Sequence, residues 1–276
     1  MNAAKITRDS KSNLALAFVA LGRERREDIT VFYAFCRVVD DIADSAETTS
    51  EEKARALALW RRWLHDSTPD GPSLARDVRG LFRKYAITPA MLEEIIDGME
   101  MDLGNTRYRT FEDLRLYCYR VASAVGLVSI EIFGYRNPAC RDYAIQLGYA
   151  LQMTNIIRDV GKDLSVGRIY LPEEDLARFE YPESDLRQRK HNDAFVRLME
   201  FEAARAEEFF ARAASLLPRE DRRSMVAAEI MSSVYRTLLK RMKTDRFRVF
   251  EKEYRLSKIE KGGRIAGQLL RAVWQA

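Results

Sequence analysis

Residues 139–163 read ACRDYAIQLGYALQMTNIIRDVGKD, and this stretch decides the fold. Its small and apolar residues (Ala144, Ile145, Leu147, Gly148, Ala150, Leu151, Met153) predict a buried helix running from Asn137-Pro138 to about Asp163. One polar stripe interrupts that character. Asn155, Asp159 and Asp163 are spaced four and four, so a helix stacks them on one face, with Gln152 three residues earlier on nearly the same face. An amide oxygen and two carboxylates, without His or Cys, suit a hard cation. Magnesium fits better than zinc, because it keeps waters and bridges to phosphate. The other reading is a polar stripe on a solvated helix.

A second stretch, residues 31–44, reads VFYAFCRVVDDIAD. Asp40 and Asp44 share a helix face, where like charges destabilise a bare helix. They also fall near the helix C-terminus, where the macrodipole disfavours anions. With Asp41 they need a cation nearby, unless the helix end simply lies in water. Two such stripes on separate helices, facing across a bundle, would hold divalent ions against a diphosphate leaving group. Arg37, Arg158, Lys162 and Arg168 add positive charge for phosphate oxygens. No P-loop or G-x-G-x-x-G precedes a helix, so a nucleotide phosphate has no cradle. An apolar carrier of the phosphate is expected.

Outward from these stripes, helical periodicity dominates. Helices are predicted over Ser12–Leu21, Arg25–Ala46, Ser50–Leu64 (Ser50 as N-cap), Ser73–Tyr85, Pro89–Met101 (Thr88 as N-cap) and Thr110–Phe133. Further helices follow near Asn192–Leu216, Arg219–Met242 and Tyr254–Trp274, with an irregular loop at Gly167–Glu174. There is no sustained strand alternation, no repeat, and no Pro/Gly/Ser linker between dissimilar halves. The expectation is an all-α, single-domain bundle of about ten helices spanning residues 1–276.

Composition agrees. Of 276 residues, 47% are hydrophobic and only 13 are Gly and 7 Pro, too few turn formers for an all-β sandwich or barrel. Net charge is 46 − 42 = +4, too balanced to imply nucleic acid. Cys36, Cys118 and Cys140 lie far apart in apolar surroundings, which suggests reduced cytosolic core thiols. His65 and His191 are the only histidines, so acid–base and metal chemistry must rest on carboxylates, tyrosines and waters. The opening MNAAKITRDSKSNLALAF has no long apolar core of a signal peptide, and no 18-residue apolar window predicts a membrane span. The helix at Tyr254–Trp274 is amphipathic. It carries Arg255, Lys258, Lys261, Arg264 and Arg271, and it could pack on its own domain or lie on an anionic lipid surface.

The strings YAFCRVVDDIAD (33–44), YCYRVASAVG (117–126), LQMTNIIRDVGKD (151–163) and GRIYLP (167–172) resemble the squalene/phytoene synthase family of head-to-head prenyltransferases. The match runs in order from about Ser10 to Arg255. The resemblance implies the isoprenoid synthase helix bundle with a central cavity. It also implies that Asp40, Asp44, Asn155, Asp159 and Asp163 hold two or three magnesium ions against substrate diphosphates. Ser10, Ser12, Arg37, Arg158 and Tyr235 are implied phosphate contacts, with Gln152 and Arg168 beside them, and Tyr117 is placed near the reacting carbons. A family pattern puts an aromatic residue after the second serine, where this chain has Asn13.

The implied reaction joins two prenyl diphosphates through an allylic cation into a cyclopropyl intermediate. The end of the chain resembles bacterial presqualene diphosphate synthases, and phytoene or dehydrosqualene synthesis is the alternative. NADPH enters only if the reaction continues to squalene. Expected partners are prenyl diphosphates, with peripheral membrane contact and downstream isoprenoid enzymes as further candidates, in the cytoplasm and without nucleic acid. A non-catalytic lipid-binding or assembly homologue is the reading from another class. Small residues at Ala122–Gly126 and at Gly148 and Ala150 either leave room for the chains or let helices approach closely.

Overall fold

A computed structural model describes residues 3–9, 17–66, 71–104 and 107–274. Among these, the regular structure is helical throughout. The helices are α1 (Ala3–Asp9), α2 (Arg23–Asp44), α3 (Ser50–His65), α4 (Ser73–Lys84), α5 (Pro89–Met101), α6 (Phe111–Cys118) and α7 (Ala124–Phe133). Then come α8 (Ala139–Ser165), α9 (Glu173–Arg178), α10 (Glu183–Arg187), α11 (Asp193–Leu216), α12 (Val226–Thr244) and α13 (Lys258–Trp274). Ser10 and Ser12, expected phosphate contacts, lie outside the described residues, as does the first half of the predicted helix at Ser12–Leu21; its second half holds a 3-10 turn at Phe18–Ala20.

Local chemistry explains several boundaries. At α3 the cap is Thr49 rather than Ser50: the Glu52 N–H donates to Thr49 Oγ1 at 3.2 Å and the Thr49 N–H to Glu52 Oε2 at 2.8 Å. A capping box needs Glu or Gln three residues on, which Thr49 has and Ser50 lacks. At the start of α8, buried Asp221 accepts the Arg136 and Asn137 N–H groups at 2.8 and 2.9 Å. The predicted Arg219–Met242 helix begins later, at Val226, after a short 3-10 turn. The predicted loop after Gly167 gives way to the short helices α9 and α10.

The helical run from Phe111 to Phe133 is broken by a π-helical turn at Tyr119–Ser123. By length and composition this run could cross a membrane, its most apolar 18-residue window having a mean hydropathy of 1.4, yet 56% of that window is buried inside the bundle. Two glycines clasp the π turn. A Cβ at Gly98 of α5 would stand 2.8 Å from Val121 Cγ1, and one at Gly148 of α8 would stand 2.5 Å from Ser123 Cα. Ser123 Oγ then donates to the Ile145 carbonyl of α8 at 2.9 Å. The small residues at Ser123, Gly126 and Gly148 therefore serve close helix approach, not room for a ligand. Side-chain volume there would force α7 and α8 apart.

The bundle core is continuous from Ala17 to Leu256. The two longest helices of its C-terminal half, α8 and α11, pack along each other, while α7 touches both α2 and α8. α7 thus packs between the helices that carry the two acidic stripes, near their N-terminal ends, through Arg25 on the Phe133 carbonyl and Gly126 on Ala144. Last, α13 lies on α12, with Ile265 packed toward the core.

Candidate active site

The first stripe sits in the last two turns of α2. Arg37 Nη1 meets Asp40 Oδ2 at 2.8 Å and Arg37 Nη2 meets Asp41 Oδ1 at 2.5 Å. One guanidinium cannot neutralise both. Burial, then the charge of Asp44, pushes the Asp40 carboxyl up to about 6. The α2 C-terminus itself is closed by Lys53 Nζ, which donates to the Ala43 carbonyl at 3.0 Å.

The second stripe lies on α8. Arg158 clamps Asp159 with Nε at 2.9 Å and Nη2 at 2.5 Å, and its guanidinium also meets the Tyr235 hydroxyl of α12. Burial, then Asp159, pushes the Asp163 carboxyl up to about 7. Asn155 Nδ2 donates to Gln152 Oε1 at 3.3 Å, leaving Asn155 Oδ1 buried with no hydrogen-bond partner.

A Schellman ending joins the stripes. Gly167, at φ +81°, donates its N–H to the Leu164 carbonyl, and the Arg168 N–H turns back to the Asp163 carbonyl at 2.9 Å. This turn returns the chain beside its own helix, and Arg168 Nη1 reaches Asp44 Oδ1 of the first stripe at 2.7 Å. Asp163, Arg168 and Tyr170 line one narrow crevice.

Between the stripes stands a residue that the sequence reading missed. Asp102, at the C-cap of α5, accepts from the Tyr170 hydroxyl at 2.7 Å and the Tyr117 hydroxyl at 3.0 Å. Its charge is felt at both Asp40 and Asp163. Tyr117 and Tyr170 stack with centroids 5.1 Å apart, and Tyr108 lies over Tyr170 at 6.1 Å. An anion at a helix C-terminus, the signal used for Asp44, would have flagged Asp102 too.

Asp102 thus lies within the charge reach of Asp40, Asp44, Asp163 and Arg168 and is bonded to Tyr117, with Arg37 on Asp40; Gln152, Asn155, Arg158 and Asp159 follow along α8, with Tyr235 of α12 beside Arg158. Among the described residues, no three acidic, His or Cys side chains form a ready metal cage. The donors present nonetheless fit a hard cation. The orphaned Asn155 oxygen, and carboxylates whose charges strain one another, want positive charge, and magnesium takes its remaining ligands from water and phosphate.

An all-helical bundle with an acidic, arginine-ringed cleft suits a substrate carrying diphosphate. Comparison with known proteins names the class. The squalene/phytoene synthase family profile matches residues 7–260, and this chain belongs to that family, whose members are prenyltransferases condensing prenyl diphosphates head to head. It is 33% identical to a phytoene synthase of Mycobacterium tuberculosis, over 97% of this chain and 89% of that one. It is 38% identical to a presqualene diphosphate synthase of Rhodopseudomonas palustris, over 83% of this chain and 82% of that one. A dehydrosqualene synthase crystal structure superposes with TM-score 0.84 at 26% identity, covering 98% of this chain and 94% of that chain.

Proposed function

We propose that this protein condenses two farnesyl diphosphates into presqualene diphosphate, the whole chain working as one domain. The observation that carries the reading is the meeting of the two acidic stripes through Arg168 on Asp44, with a buried Asn155 amide oxygen on the second stripe that has no partner. The family membership and the 38% identical presqualene diphosphate synthase support it. Phytoene or dehydrosqualene synthesis is favoured instead by the 33% identical phytoene synthase and the dehydrosqualene synthase likeness, and is the second reading.

In this reading Asp40, Asp44, Asn155, Asp159 and Asp163 hold two or three magnesium ions. When bound, magnesium supplies Lewis-acid charge to the diphosphate leaving group. Arg37, Arg158, Arg168, Gln152 and Tyr235, with Ser10 and Ser12, orient the diphosphate oxygens, and a bidentate guanidinium suits that task. The departing diphosphate takes the C–O electron pair, leaving an allylic cation. The second chain's double bond attacks it, and a proton passes to released diphosphate as the cyclopropane closes. No histidine is then required. Tyr117 and its stacked neighbours exclude water around the cation, whose charge their ring faces attract. The protein works in the cytoplasm, α13 touches the inner membrane face where the product leaves, and downstream isoprenoid enzymes take that product. NADPH is needed only for continuation to squalene.

The test is incubation of purified protein with magnesium and farnesyl or geranylgeranyl diphosphate, with and without NADPH, products being identified by mass. Presqualene diphosphate from farnesyl diphosphate is expected, reduced at least about 100-fold in an Asp40→Asn/Asp159→Asn double variant. Phytoene from the longer substrate would select the second reading. A folded protein inert toward both would defeat the enzymatic reading and leave the non-catalytic homologue.

A further inference from the structure

The carboxylate of Asp102 is arranged unlike the others in the cleft. Both of its oxygens are capped by phenols: Oδ1 accepts from Tyr170 at 2.7 Å and Oδ2 from Tyr117 at 3.0 Å. The two hydroxyls stand 3.3 Å apart and their rings stack, with Tyr108 completing a three-ring cluster. Tyr117 and Tyr170 are 4% and 7% exposed, so the cluster is almost dry. Burial, with the neighbouring carboxylate, holds both phenols well above their usual range, so they stay protonated and donate. A hydroxyl whose single proton is committed to a carboxylate can only accept from anything else.

Resting on the function proposed above, we propose that Asp102 is a positioning residue for Tyr117 and Tyr170, holding both hydroxyls as donors so that their oxygens and rings present only negative potential to an electron-poor carbon. A bare carboxylate in contact with an allylic cation would be alkylated. Here the charge acts through two phenols, which stand between it and any ligand that reaches them. In a dry, low-dielectric site such fixed charge is worth more than in water, and it needs no reorganisation as the cation forms. Arg168 lies within the field of Asp102 while bonded to Asp44, and so ties the tyrosine cluster to the diphosphate side of the cleft.

The test compares wild type, Asp102→Asn, Tyr117→Phe and their double variant with magnesium and whichever prenyl diphosphate the wild type consumes. Asp102→Asn is expected to lower kcat by about 100-fold. KM and the magnesium concentration for half-maximal rate should move less than about twofold, as for an interaction made only in the transition state. More prenyl alcohol should be released per turnover, and the loss should not add to that of Tyr117→Phe. If Asp102→Asn does not fold, Tyr170→Phe, which uncaps Oδ1, must show the same split between kcat and KM. A magnesium requirement raised in step with the kcat loss would make Asp102 a metal ligand and overturn the proposal, as would full additivity or an unchanged kcat. An inert wild type is a separate outcome: it rejects the parent reading, and this inference falls with it.

Discussion

Glu202 on α11 is fully buried, and Arg205 Nη1 lies 2.6 Å from its Oε2 and 2.9 Å from Asp175 Oδ2. The same guanidinium covers the Phe111 ring at 3.9 Å. One cation faces two buried carboxylates, so burial pushes Glu202 well above the usual carboxylate range, with Asp175 adding to the shift and Arg205 opposing it. An acid protonated in the fold but ionised in the unfolded chain stabilises at low pH. That contribution is lost as pH rises through the raised value. The melting temperature of the wild type should therefore fall between about pH 4.5 and 8, and Glu202→Gln should fall less steeply. Parallel pH profiles for the two proteins would remove Glu202 as the cause. The acidic stripes were legible as residues because four-residue spacing on a helix has one geometric meaning. Asp102 carried one local signal, an anion at a helix C-terminus, but its pairing with two phenols carried none, since Tyr117 and Tyr170 are 15 and 68 positions away.

At the scale of elements, the π turn shows how far periodicity reads. Phe111, Leu114, Tyr117, Val121, Val125, Val128 and Ile132 fall at helical steps, so the existence of the helical run was clear. The wider turn at Tyr119–Ser123 was not, because it depends on Gly98 and Gly148 of two other helices. Gly148→Ala should drive a methyl into the Ser123 backbone, costing about 1–3 kcal/mol as overpacking does. A thermal melt several degrees below wild type is the expected reading, and an unchanged melt would refute the clasp. On α13, Lys261, Ile265 and Gln268 are partly covered, whereas Ile259 is 87% and Leu270 61% exposed on the opposite side. Vesicles containing anionic lipid should sediment the wild type and retain less of an Ile259→Asp/Leu270→Asp variant. Equal retention would assign α13 to its own bundle alone.

For the whole molecule, the cleft holds more carboxylates than its arginines satisfy, so Asp40 and Asp163 are pushed upward by burial and by neighbouring carboxylates. Such a site gains most when cation and diphosphate arrive together. Magnesium with a prenyl diphosphate should raise the melting point more than the two separate shifts added. Ligand at about 100 times its dissociation constant contributes about 2.7 kcal/mol. Simple additivity would mean that the stripes do not share a ligand. The same linkage should vanish in the Asp40→Asn/Asp159→Asn variant while its fold persists.

The sequence alone determined the helical class, the positions of most long helices, the two stripes and the family resemblance. Each of these follows from spacing within one stretch of chain, where backbone geometry fixes which side chains share a face. The tertiary structure decided the rest: the π turn, the close packing at Gly98 and Gly148, the bond from Arg168 to Asp44, and the carboxylate of Asp102 between two phenols. Those features join residues from separate helices and loops. Their placement is set by how the whole core packs, which no local pattern encodes.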